Sequence, residues 1–335
     1  AGSSSATEAM RRAFHTFIGV DLGGGKGKTT AVCRLRLGKG DAGEPQVIVE
    51  DQGHGSTWYD DQLVDYLLRF AGGAVVAIDA PLSLPVCVRC TLPSCPGAAT
   101  CDVPTVAWFR RRDAQRQAAG DVSDARGKPR YTPYTQRASE VVLHEEHGII
   151  PRETLGQGMG PLTARMAYLR RALGTHFRLH HNLLEVYPKA TLTQLFPDAS
   201  PPPGLPPSSP PPPSGRSGQR TSVRYRDSNG NEVRLSDSEE GDDESDNPRR
   251  PRSQVARLYK RSGHALPIRT RVLEELPGLR FGPGQWREFT AQNDHQFDAL
   301  ICAYTAYLWA RDGWQLPVDP VFTEDGWIWF PPSRG

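Results

Sequence analysis

Hydrophobic positions along this chain change period several times, and each change marks an element. FIGVD (17–21), the stretch from Thr30 to Leu37 and the stretch from Val47 to Asp51 are short apolar runs or alternate apolar with polar residues, the period of β-strands. GKGDAGEP joins the last two, so the three predict an antiparallel meander. In DDQLVDYLLRF the residues Leu63, Tyr66, Leu67 and Phe70 recur at helical spacing, and Gly72 and Gly73 stop the helix. GAVVAIDAP is apolar without a break, as a strand buried on both faces must be, and Pro81 blocks further pairing just after Asp79. The order strand, strand, strand, helix, strand therefore sets Asp21 and Asp79 at the ends of two strands.

Further on, Ser139 to His147 starts a helix that brings Glu140 close to Arg137. GQGMGPLTARMAYLRRAL reads as a glycine-rich loop entering a helix. Leu162, Met166, Leu169 and Leu173 line one face of it, leaving Arg165, Arg170 and Arg171 for solvent or a phosphate backbone. LLEVYP is a short apolar strand interrupted by Glu185 and closed by Pro188. A carboxylate there must be paired, protonated or metal-bound, because burying it alone is expensive. Gln254–Arg261 and Thr270–Leu276 predict helices. In the segment after them, Phe297, Leu300, Ile301, Tyr304, Thr305 and Leu308 form an apolar helical stripe. Asp294 and Asp298, four apart, share a face of its first turns, near the positive end of the helix dipole. GWIWFPP supplies a last strand.

Composition changes this picture in one segment. The chain has 335 residues, enough for one large domain or two small ones, and its charges nearly balance, with Lys+Arg 40 against Asp+Glu 38. The balance hides an asymmetry, since an acidic run (SDSEEGDDESD) leaves the remainder more basic. Residues 199–252 are low-complexity: a polyproline-like spacer, a hairpin signal at Asn229–Gly230, then the acidic run and a basic NPRRPR. We read them as a disordered insertion, because the strand before and the helices after complete one fold. The expected division is a disordered lead over 1–15, a first part over 16–198, the insertion over 199–252 and a second part over 253–335. The insertion is a place to dock a protein partner, a shield over a basic groove, or a tolerated surface loop. No apolar run approaches the ~20 residues that span a bilayer. The N-terminus lacks the apolar core of a signal peptide, so a soluble cytoplasmic protein without membrane partners is expected.

The densest chemistry lies in FIGVDLGGGKGKTTAV, from Phe17 to Val32. One reading is a phosphate-binding P-loop, with Lys28 and Thr29 in GGKGKTT and VVAIDAP as a Walker B-like strand. Leu22 stands where that loop needs glycine, Gly23 where its deviant form needs lysine, and VCRLRLG reads as a strand rather than a helix. A second reading is the actin-like sugar kinase hairpin, which holds Mg-ATP. A third is the ribonuclease H-like hairpin, whose Asp binds a divalent metal. The plainest is a turn capped by Asp21. Cys87, Cys90, Cys95 and Cys101 (C-x2-C-x4-C-x5-C) place four of the six cysteines within fifteen residues, which reads as thiolates around one structural metal. Zinc suits them, an iron–sulfur cluster uses the same ligands, and reduced or paired thiols are the remaining option. Cys33 and Cys302 sit in apolar segments as core residues. WFRRRDAQRQ and RGKPRYTPYTQR suit phosphate contacts and base stacking, or else an ordinary solvated helix and loop.

Together, FIGVDLG, VAIDAPLSLP, YTQRASE, EVYPKATL and DALICAYTA resemble domain-of-unknown-function family 429, the predicted ribonuclease H-like nucleases. The resemblance runs from Phe17 to about Pro332, with the proline-rich insertion as its departure. More remotely, the layout is similar to RuvC-type resolvases. These resemblances imply an α/β, ribonuclease H-like fold: a mixed central sheet flanked by helices, carrying the Cys-rich knuckle and the insertion. They imply a metal site of Asp21, Asp79 and Asp298, completed by Asp294 or His295. Glu140 and Glu185 fall in motifs of the nearer family. The expected activity is metal-dependent hydrolysis of DNA or RNA with Mg²⁺ or Mn²⁺. Two such ions about 4 Å apart activate water and stabilise the leaving oxygen. Asp21 would bridge them, Asp79 and Asp298 would each hold one side, and Asp294 or Glu185 would finish the shell. An ATP-dependent kinase or ATPase and a non-catalytic nucleic-acid- or protein-binding module stand as alternatives.

Overall fold

The computed structural model describes residues 14–25, 29–41, 43–55, 59–121, 129–197, 223–226, 232–235, 253–261 and 263–332. The predicted meander is present: β1 (Thr16–Asp21), β2 (Thr30–Lys39) and β3 (Pro45–Gly55) pair antiparallel in succession. β4 (Ala74–Asp79) lies parallel beside β1, β5 (Leu183–Val186) parallel beside β4, and β9 (Ile328–Trp329) closes that edge. β8 (Leu279–Phe281) pairs parallel with β3, giving a seven-stranded mixed sheet in the order β8-β3-β2-β1-β4-β5-β9. Residues 1–202 and 251–335 form one compact unit and residues 203–250 a second. In the second, β6 (Val223–Arg226) and β7 (Glu232–Leu235) make the hairpin that Asn229–Gly230 predicts. Asn229 and Gly230 themselves, the proline-rich and acidic runs and the lead over 1–13 lie outside the described residues.

Ten helices are described: α1 (Asp60–Leu68), α2 (Pro104–Ala118), α3 (Ala138–His147), α4 (Gly160–Leu173), α5 (Pro188–Leu195), α6 (Gln254–Leu258), α7 (Ala265–Glu275), α8 (Arg287–Gln292), α9 (Asp294–Asp312) and α10 (Val321–Asp325). None is long and apolar enough to cross a membrane. On one face of the sheet, Ile18, Val20, Val32, Val76 and Ile78 pack with Leu63, Tyr66 and Leu67 of α1 and Met166, Leu169 and Leu173 of α4. The opposite face carries α9. Strand side chains alternate, so Phe17, Gly19 and Asp21 share that second face, and Phe17 meets Tyr307 of α9 edge-on with ring centroids 5.6 Å apart. A Cβ on Gly19 would collide with the Ala299 carbonyl oxygen and the Ala303 amide nitrogen, so α9 rests directly on the β1 backbone.

Several expectations need correction. α9 does not carry a single apolar stripe: every residue from Gln296 to Ala310 is buried, so this helix runs through the interior. Pro188 does more than close β5, since it opens α5 from the first helical position, where its missing N–H has no intrahelical partner to lose. α7 starts at Ala265 rather than Thr270, because Pro267 falls in the first turn, where proline is tolerated. The leading aromatics of the run from Trp108 are interior, while Arg111, Gln115 and Gln117 of the same helix are exposed. Trp108 and Phe109 are buried with Val141, Val142 and Phe322, while Arg112 pairs with Glu145 at 2.7 Å and Arg130 with Asp113 at 3.1 Å.

The seat of α9 on Gly19 gives the first prediction. Gly19→Ala forces a methyl into helix backbone that cannot yield like a side chain, costing more than about 3 kcal/mol, or a Tm fall of at least ~5 °C. Gly72→Ala, with open space around the new Cβ, should stay within ~2 °C of wild type. Thermal unfolding of the two variants side by side checks the difference.

Candidate metal centre

β1 and β4 run parallel with Asp21 and Asp79 as register partners, so both carboxylates leave the sheet side by side toward α9. The second turn of α9 brings Asp298 down between them. One oxygen from each of Asp21, Asp79 and Asp298 lies within 4.8 Å of the others, the group among the described residues that could share an ion. Asp298 is 0% exposed, and neither of its carboxylate oxygens has a hydrogen-bond partner. Its Oδ2 faces the Lys260 ammonium at 2.5 Å.

Neither candidate to complete the set joins the three acids: His295 instead bonds Asp21, its Nδ1 2.6 Å from Asp21 Oδ2. Asp294 occupies the first position of α9 and stays outside the group of three. Asn293 caps that helix, accepting from the Gln296 amide at 3.0 Å.

Electrostatics follow from this crowding. Burial, then the charges on Asp21 and Asp298, push Asp79 well above the usual carboxylate range. Burial also pushes Asp298 up to about 6, against the pull of Lys260. Burial alone would lower Lys260, but Asp298 beside it outweighs that and holds the ammonium protonated. The hydrogen bond to Asp21 raises His295 despite its burial.

Glu185 does not join the site, and the reason is the strand's alternation. It is the register partner of Ile78, not Asp79, so it points to the α1/α4 face of the sheet. There Arg137, itself buried, grips it in a fork, Nη1 to Oε2 at 2.7 Å and Nη2 to Oε1 at 2.5 Å, and the Leu82 amide donates to Oε2 at 2.8 Å. Arg137 also donates from Nε to Glu140 at 3.0 Å. Of the three ways to satisfy a buried carboxylate, Glu185 is paired, and its bond to Leu82 fixes the chain just past Asp79. Arg165, expected at solvent or phosphate, bonds Asp60 at 2.7 Å, the Gly23 carbonyl at 2.5 Å and Thr30 at 2.9 Å, so it fastens the glycine-rich turn. That turn leads into strand β2, against the helix a P-loop requires; Lys26, Gly27 and Lys28 lie outside the described residues.

The Cys-rich loop stands apart from the acids. Cys87, Cys90 and Cys95 are exposed, Cys101 is buried, and all four are free thiols. Cys87 is raised by burial and then by the charges of Cys101, Cys95 and Cys90, so the four share a neighbourhood although they are not drawn into a group like that of the acids. Arg110 anchors the loop through the Cys101 carbonyl at 2.6 Å and the Ala98 carbonyl at 3.1 Å. Cys33 and Cys302 are buried, as expected of core residues.

Lys260 is the residue at this site that sequence reasoning missed. It follows the helical pattern of QVARLY, and a lysine there carries the signature of an ordinary solvated position. No family model, no curated protein and no solved structure matches the chain.

The raised Asp298 sets a pH dependence. The folded state holds this proton up to about pH 6, the unfolded state only to 3.8, so folding takes up a proton between them. The stability this contributes is full below about pH 4 and lost as pH rises through about 6. Without divalent ions, Asp298→Asn should therefore melt above wild type at pH 8, by on the order of 1–3 kcal/mol, with the gap closing at pH 5. Melting curves in chelator at both pH values test this; a gap that is equal at both would refute it.

Proposed function

We propose that this protein is a metal-dependent nuclease of ribonuclease H-like fold, hydrolysing phosphodiester bonds of DNA or RNA at Asp21, Asp79 and Asp298. The observation that carries the reading is the convergence of three carboxylates from β1, β4 and α9, with a buried Asp298 oxygen left without a partner. An all-oxygen, anionic donor set fits a hard divalent ion such as Mg²⁺ or Mn²⁺. An ion held there supplies Lewis acidity toward a phosphoryl oxygen and activates the attacking water. The strand order supports the fold: an antiparallel meander with the fourth strand parallel beside the first is what the ribonuclease H reading requires.

The chain's own residues have separable tasks in this proposal. Asp21, Asp79 and Asp298 hold the ion, and the rigid seat of α9 keeps their spacing. His295, 42% exposed and held on Asp21, stands at the mouth of the site, where its raised affinity for a proton suits it to hold one beside the reacting phosphate. Glu185, Glu140 and Arg137 do no chemistry; they fix the segment after β4 and so position Asp79. The ATP-binding alternative is weaker, because the glycine-rich turn after Asp21 is tied down by Arg165.

The cysteine loop fits a structural zinc by its donor chemistry. Four free thiols stand within fifteen residues, and residues 87–100 are all exposed, so the loop has no apolar core of its own to hold its turns. Zinc at Cys87, Cys90, Cys95 and Cys101 would clamp the loop while taking no part in catalysis.

Two experiments follow. Labelled single-stranded, duplex, hybrid and branched nucleic acids, incubated with Mg²⁺ or Mn²⁺, should include a substrate that wild type cuts. Asp21→Asn should slow that cleavage by about a thousandfold or more with a melting temperature in chelator no lower than wild type. Activity surviving in the variant would sink the proposed site, and failure to cut any substrate would return the binding-module reading. Elemental analysis of the purified chain should give about one zinc per molecule, with Cys90→Ser and Cys95→Ser each losing it. Full zinc content in both variants would remove the loop from consideration.

A further inference from the structure

Lys260 is the cation that the acid site already possesses. Its Nζ lies 2.5 Å from Asp298 Oδ2, and its charge also bears on Asp79. We propose that Lys260 is a tethered counter-cation, which holds the cation position at Asp298 in the metal-free protein and competes there with the divalent ion. The inference rests on the reading that Asp21, Asp79 and Asp298 bind a divalent ion, and it concerns what sets their affinity for it.

Three observations support a displaceable role over a permanent ion pair. The first is charge. One ammonium faces three clustered carboxylates, and neither Asp298 oxygen has a hydrogen-bond partner, so the single lysine charge, an ion-pair contact at Oδ2, leaves the buried acid under-satisfied. A divalent ion brings twice the charge and several coordination positions to the same oxygens. The second is freedom to leave. The Lys260 side chain is 49% exposed while Asp298 is 0% exposed, so the lysine reaches in from the surface and can swing out on its flexible stem without disturbing the core. The third is the anchor behind it. Tyr259 is buried, and its carbonyl accepts from Arg269 Nη1 at 3.0 Å, so the backbone stays fixed while the side chain moves. A permanent bridge has the opposite form, and this protein displays one for comparison: Arg137 on Glu185 is buried at both ends and bonded through both carboxylate oxygens.

The test is Mn²⁺ binding to the full chain, read by the electron paramagnetic resonance of free Mn²⁺ for wild type, Lys260→Gln, Lys260→Arg and Asp298→Asn. Only the binding that Asp298→Asn abolishes is scored, which sets aside ions held by the acidic run over 237–246. Lys260→Gln should bind Mn²⁺ at least about fivefold more tightly than wild type, and Lys260→Arg should stay close to wild type. A measurement on the wild type avoids any dependence on folding of the variants: amine acetylation mapped by mass spectrometry should label Lys260 faster when Mn²⁺ is present. Equal or weaker Mn²⁺ binding by Lys260→Gln, or acetylation of Lys260 that Mn²⁺ does not accelerate, overturns the inference while leaving the metal site standing. No binding attributable to Asp298 in any form overturns both. Tighter binding by Lys260→Gln without cleavage of any nucleic acid upholds the inference and removes only the nuclease.

Discussion

The close approach of α9 to β1 is the constraint on which the site depends. Gly19 lacks the side chain that would hold the helix off, and Ala299 and Ala303 present backbone rather than bulk to it. With α9 seated there, Asp298 lands within ligand distance of the two strand-end acids. The same seat places α9 inside the protein, buried from Gln296 to Ala310, so its position is over-determined by packing on every side. That matters energetically, because three carboxylates do not gather by their own attraction. Their repulsion and desolvation oppose folding, and packing elsewhere must outweigh the strain. A looser helix would turn or withdraw and let the acids part.

The sheet separates two charged systems that differ by one residue in register. Asp79 faces α9, while Ile78 and its partner Glu185 face the α1/α4 core. On that side Arg137 satisfies Glu185 and Glu140 through an ordered set of hydrogen bonds that also holds Leu82. On the α9 side the acids outnumber the cations, and both buried Asp298 oxygens lack a hydrogen-bond partner. A buried carboxylate gripped in a guanidinium fork is structural, since removing either partner strands the other. A buried carboxylate with an unused lone pair, beside two more acids, is a donor waiting for a cation. On the proposed reading, the two sides of one sheet thus supply the support and the chemistry separately.

Much of this was legible in the sequence, and the misses share a cause. The strand ends at Asp21 and Asp79 could be read because both strands are continuous apolar runs closed by glycine or proline. Asp298 was picked out by the resemblance and by its place in the first turns of a helix. The fate of Glu185 was not legible, because the face of a short strand depends on register with a neighbour about a hundred residues away, and a one-residue difference reverses it. Trp108 and Phe109 read as part of a base-stacking surface or of a solvated helix, and their burial was not legible, since composition does not say which way a helix turns. α9 reads as one-sided because polar Gln296 lies off the apolar stripe that includes Thr305. They are buried all the same, Thr305 bonded to the Ile301 carbonyl at 2.7 Å and to Thr191 at 2.9 Å. Lys260 carried no signal, as its partner lies thirty-eight residues on and in another helix.

The shifted acids and the lysine express one physical fact. Clustered, buried carboxylates raise the free energy of their own ionised state, and any positive species that reaches them lowers it again. A proton does this at Asp79 and Asp298, which is why both are raised. Lys260 does it from the surface at Asp298, and His295 does it at Asp21. Near neutral pH protons are scarce, and each of the two side chains reaches one carboxylate at close range. A divalent ion bridging all three relieves the same repulsion more completely than any of them. The metal affinity proposed for this centre would therefore follow from how α9 lies on β1, whatever the substrate.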